Sequence, residues 1–120
     1  MKVKYLSNGE IYTVYSIFKS KDGYWHKGGL SYLIYTGHHS VYGADEFEVI
    51  NPLLPPMWYF SLVGRFFKRQ DYLTEIWGYK EMVFDEKHFY NLLDCDPETI
   101  EIFKKRKEEI DEYEALLRTK

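Results

Sequence analysis

Four histidines, one cysteine and 19 carboxylates are the side chains of this 120-residue chain with the means to do chemistry. The densest concentration is His38-His39, set in a short polar turn between tyrosine-rich runs. Neutral imidazoles ligate zinc and carry protons near neutral pH. Adjacent residues on an extended chain point to opposite faces, however, and two histidines alone do not complete a metal site. His26 and His88 are the other histidines, no Cys or His pair has the spacing of a finger or ribbon, and H-E-x-x-H is absent. His38 and His39 therefore read first as polar turn residues, with contact to a ligand as the alternative, and neither a metal nor a cofactor is expected. Cys95 reads as a half-buried or inert thiol, because a nucleophile wants a base beside it.

The carboxylates give no clearer constellation. In "YGADEFEV", Glu46 and Glu48 share one face if the run is a strand, which makes an acid pair geometrically feasible. Alternating acids opposite Phe47 and Val49 also describe a solvated strand face. G-x-S-x-G is absent, and Gly28-Gly29 lacks the rest of a phosphate loop, so an enzyme is not the favoured reading. Were there a small-molecule pocket, Tyr12, Tyr35, Tyr42 and Glu48 would converge on it. The segment "DGYWHKGG" is the readiest binding site: Tyr24, Trp25 and His26 lie between glycines as an exposed anchor, or Trp25 folds under as a plug. Both readings stay open, and His38, His39 and Tyr42 join the binding candidates.

Charge narrows the partners. Sixteen basic and 19 acidic side chains give a net charge of −3, so general attraction to phosphate backbones or anionic membranes is lacking. Two basic clusters remain. "GRFFKRQ" interleaves Phe66 and Phe67 with Arg65, Lys68 and Arg69, a pattern able to stack bases and also an ordinary strand end. "KKRK" is bracketed by acids and reads as a salt-bridged solvent face, so nucleic acid is not the expected partner. One cysteine forms no internal disulfide, and with neither a leader-like start nor a bilayer-length apolar run the chain reads as cytoplasmic with no membrane partner. The aromatic content of 19% favours interfaces as well as cores.

The elements that must position these residues follow from periodicity. Alternation in "EIYTVYSIF" predicts a strand over 10–18, and "LSYLIY" and "VYGADEFEVI" flank Gly37-His38-His39-Ser40 as a hairpin. Prolines make 51–56 a linker. "MWYFSLVGRFF" and "DYLTEIWGY" predict two further strands, Gly64 serving as a bulge and Gly78 as a terminator. Asp85 is placed to cap a short helix over "EKHFYNLL", and Asp96-Pro97 starts a long one over 97–117. Its stripe is Phe103, Arg106, Ile110, Tyr113 and Leu117. The whole is expected to be one domain, a β-rich front at 1–50 joined to two strands and helices at 57–120.

The front, "KYLSNGEIYTVYSIF" with "GGLSYLIYTGHHSVYGADEFEVI", resembles the SH3-like small barrels of short bacterial and phage proteins. The back, "IWGYKEMVFDEKHFYNLLDCDPETIEIFKKRKEE", resembles short bacterial proteins of no established activity that pair such a front with a Gly-Tyr-Lys-Glu segment and a final helix. The resemblance implies an architecture and transfers no catalytic residues. The expected fold is α+β: a bent antiparallel sheet or SH3-like barrel of about five strands with C-terminal helices. The expected function is a non-enzymatic protein-interaction module that binds a protein partner in the manner of an immunity or antitoxin protein. A homodimer through the helix stripe is a further expectation.

Overall fold

The computed structural model describes residues 1–20, 29–62 and 73–118, the last without the side chain of Arg118. Tyr24, Trp25 and His26 lie outside them, as do Gly64, Arg65, Phe66, Phe67, Lys68 and Arg69. The described strands are β1 (Lys2–Tyr5), β2 (Ile11–Thr13), β3 (Ser16–Ser20), β4 (Leu30–Tyr35), β5 (His39–Gly43), β6 (Phe47–Asn51), β7 (Tyr59–Leu62) and β8 (Leu73–Gly78). Three α-helices follow: α1 (Lys80–Phe84), α2 (His88–Leu93) and α3 (Pro97–Arg118). The fold is α+β, with two antiparallel sheets ordered β2-β1-β6 and β5-β4-β3-β8-β7.

No barrel closes among the described residues, since β5 and β7 end the larger sheet without a further partner. The run at 10–18 is two strands rather than one. The Val14 amide donates to the Met1 carbonyl at 3.1 Å, and the next amide, Tyr15, donates to Leu33 at 2.8 Å, so the chain changes sheets between neighbours. "VYGADEFEVI" is likewise interrupted: β5 stops at Gly43, a 3-10 turn covers Ala44–Glu46, and β6 joins the smaller sheet. Glu46 thus leaves the strand, and the acid pair with Glu48 on one strand face does not form.

The layers explain the apolar character of both strand faces. In β4, Tyr32 and Ile34 enter a core between the two sheets with Val3, Val14 and Phe47. Leu33, on the opposite face of the pleat, enters a second core with Phe18, Ile76, Phe89, Phe103 and Ile110 beneath the helices. A strand covered on both sides loses the apolar-polar alternation of a one-sided sheet.

The helices begin where the side chains allow. Asp96 Oδ2 accepts from the Thr99 amide at 3.1 Å and from the Thr99 hydroxyl at 2.8 Å, capping α3 ahead of Pro97. Phe103 and Ile110 are buried along it, and Tyr15 donates to Asp111 at 2.6 Å from the sheet. Burial first, then that hydrogen bond, raises the Tyr15 pKa far above its ordinary value. Phe103 and Ile110 of the stripe therefore pack in the core beneath the larger sheet of the same chain. Helix α1, absent from the sequence reading, is held by Arg106, whose guanidinium donates to both oxygens of Glu81 at 2.7 Å and also reaches Glu109. The hydrogen bonds from Arg106 hold the Glu81 carboxyl below its usual range. Lys107 pairs with Asp111 at 2.8 Å, so these two members of "KKRK" are neutralised by acids of the same chain.

Candidate functional site

The β4–β5 turn is built on Gly37, whose φ of 89° suits a residue without Cβ. The Thr36 amide donates to the His38 carbonyl at 3.0 Å, and the Ser40 hydroxyl donates to the same carbonyl at 3.2 Å. This tight closure keeps His38 out of the strand pleat, while His39 begins β5 opposite Tyr35. Strand alternation consequently does not separate the pair. Their rings stack, with centroids 4.1 Å apart and planes at 27°.

The third group arrives from 56 residues further on. Helix α2 ends with the Cys95 amide donating to Leu92 at 3.0 Å and the Asp96 amide to Asn91 at 2.9 Å. That is the Schellman pattern, in which the residue in Cys95's place adopts the left-handed conformation normally given to glycine. Cys95 does so with φ 60°, and it is exposed rather than half-buried. Its Sγ lies 3.7 Å from His38 Nε2. One ligand atom each from His38, His39 and Cys95 falls within 4.8 Å of the other two. No finger-type spacing announces this set. The visible signal was a cysteine ahead of Asp96-Pro97, where a helix stop calls for glycine.

His39 differs from its neighbour in burial. It is 7% exposed, and its Nε2 is buried without a hydrogen-bond partner among the described residues. An unmet buried polar atom costs about 1–3 kcal/mol and asks for an explanation in water, an ion or a ligand. Burial lowers the His39 pKa first, the neighbouring His38 lowers it further, and a hydrogen bond with the Leu92 backbone opposes both. The ring packs edge-on against Phe103 at 5.9 Å. A cavity of about 230 Å³ opens beside the pair, lined also by Tyr35, Gly37, Ile100, Phe103 and Lys104.

Other residues expected at a site go elsewhere. Tyr42 is on the opposite face of β5, against Tyr5 and Phe47 in the inter-sheet core. The Tyr12 hydroxyl donates to Glu10 at 3.0 Å on the smaller sheet, and Glu48 is exposed on β6 opposite Lys4. Of the suggested pocket, Tyr35 alone borders the cavity, with the Lys107 ammonium 4.9 Å from its ring centroid.

A second surface is apolar among the described residues. Phe60, Trp77 and Ile17 stand directly opposite one another across β7, β8 and β3. Phe60 is 48% exposed with its ring 5.0 Å from that of Trp77. Ile17, Leu30, Leu54 and Trp77 line an open apolar depression of about 210 Å³. The row runs to β7, the end strand of the sheet among the described residues.

Comparison of the chain with family models, curated proteins and solved structures finds no match in any of the three. Among the described residues, no helix is long and apolar enough to cross a membrane.

Proposed function

We propose that this chain is a non-enzymatic protein-interaction domain that receives an extended apolar segment of a partner polypeptide along β7. The observation that carries the reading is the Phe60-Trp77-Ile17 row, apolar and incompletely covered, running to the end strand of the sheet. An end strand presents backbone donors and acceptors for another strand, and natural edges are usually guarded by charge or proline. The sequence of β7, Tyr-Phe-Ser-Leu, has neither. An added strand would satisfy the backbone groups and place its alternate side chains over Phe60 and Leu62, which is recognition by β-augmentation. Occupation of a partner's segment, as immunity and antitoxin proteins do, is the mode of action we assign, in the cytoplasm to which a lone unpaired cysteine is suited.

Phe60→Asp tests this, since it places a charge in the row while removing a side chain that is only half-buried. A partner captured by the wild type is expected to bind the variant at least about tenfold more weakly, the loss of about 1.5 kcal/mol or more of apolar contact. Backbone amides 59–62 are expected to gain hydrogen-exchange protection in the wild-type complex. Equal capture by both proteins, or protection confined to other strands, would overturn the proposal. Concentration-dependent dimerisation of the purified wild type, abolished by Phe60→Asp, would instead assign the edge to a second copy.

A further inference from the structure

We propose that His38, His39 and Cys95 form a binding site for a thiophilic divalent cation of the zinc class. The ligand types are the first argument: a thiolate and two imidazoles select zinc and its soft neighbours over magnesium or calcium, which take oxygen donors. Distance is the second. A tetrahedral zinc with bonds of about 2.3 Å to sulfur and about 2.0–2.1 Å to nitrogen holds S and N about 3.6 Å apart. Cys95 Sγ and His38 Nε2 are 3.7 Å apart, with the third ligand atom close enough that all three lie within 4.8 Å. A small rotation of exposed His38 and Cys95 toward His39 completes the approach.

The independent observation is His39 itself. Its side chain is more than nine-tenths buried, it belongs to the cluster, and Nε2 has no partner among the described residues. A ring in this position is fixed by packing on Phe103 and on His38 before any ion arrives. The Leu92 carbonyl accepts the Cys95 amide, so the end of α2 orients the cysteine toward the histidine pair. Three protein ligands leave one coordination position for water or for a donor atom on a bound molecule.

The test is cobalt(II) titration of the reduced protein, followed by zinc(II) competition against a chromophoric chelator. The wild type is expected to bind one cobalt per chain with a thiolate-to-cobalt charge-transfer band in the near ultraviolet, and zinc is expected to displace it. Cys95→Gly removes the thiol at a left-handed position that glycine adopts freely, and His38→Ala removes an exposed ring. Each variant, confirmed folded by circular dichroism, is expected to lose at least about tenfold in zinc affinity. Cys95→Gly is also expected to lose the charge-transfer band. Zinc is expected to raise the melting temperature of the wild type and to leave that of Cys95→Gly unmoved. Absence of saturable binding, binding without the charge-transfer band, or wild-type affinity in both variants would each overturn the site.

Discussion

Cys95 occupies a backbone position that works against its own side chain. The left-handed conformation costs an L-residue roughly 1–2 kcal/mol, which glycine avoids at the expense of a more flexible unfolded chain. Cys95→Gly is therefore expected to raise the unfolding free energy by about 0.5–1 kcal/mol in urea denaturation. A loss of similar size would mean that the thiol side chain itself stabilises the turn. At His88 the residue-scale prediction concerns pH. The Tyr79 hydroxyl and His88 Nε2 are 2.6 Å apart and both buried. Burial lowers the His88 pKa, against the opposing influence of Asp85 and Glu81, and raises that of Tyr79, so both groups are neutral in the fold. The unfolded chain thus takes up a proton first as pH falls, and the fold loses stability below the ordinary histidine pKa of about 6.5. Denaturation between about pH 7 and 5 should show this decline, to which buried His39 adds, and His88→Gln, which keeps an acceptor for Tyr79, should make it shallower. A slope unchanged by that substitution would show that His88 is not its source.

At the scale of elements, Asp96 and Pro97 announce α3 because capping is local chemistry written in adjacent residues. Asp96→Ala is expected to cost about 1 kcal/mol of stability, measured by thermal or urea unfolding. A cost near zero would mean that Pro97 and tertiary packing start the helix unaided. The hairpin of β4 and β5 was legible for the same reason, since its turn glycine and flanking alternation are contiguous. Helix α1 was not. Its five residues are too few for a periodic signal, and an ion pair from Arg106, 25 residues beyond Glu81, helps hold it. The break between Val14 and Tyr15 was hidden too, because each residue lies in a core and only the identity of that core differs.

At the scale of the whole molecule, α+β with C-terminal helices was readable, and of the two sheet forms expected, the open antiparallel one rather than the barrel is what the described residues build. A strand apolar on both faces looks the same in sequence whether it lines a small barrel or lies between a second sheet and a helical layer. Of the candidate site, the histidine pair was visible, while the group that meets it was not. Cys95 comes to His38 through the packing of α2 beneath the larger sheet, a long-range consequence that spacing along the chain does not encode.

The pairing of β3 with β8 has a consequence for the order in which the molecule is made. Ser16 is opposite Gly78, so the middle of the larger sheet cannot be completed until the 62 residues that follow Ser16 have also left the ribosome. Until then β3 is itself a strand edge, flanked by β4 alone. β1 waits similarly for β6. Closing such distant pairs slows the search for the native arrangement, which places refolding in the slower, millisecond-to-second range of small domains. It also leaves Phe18 and Ile17 uncovered during synthesis, when a neighbouring nascent chain offers them the wrong partner.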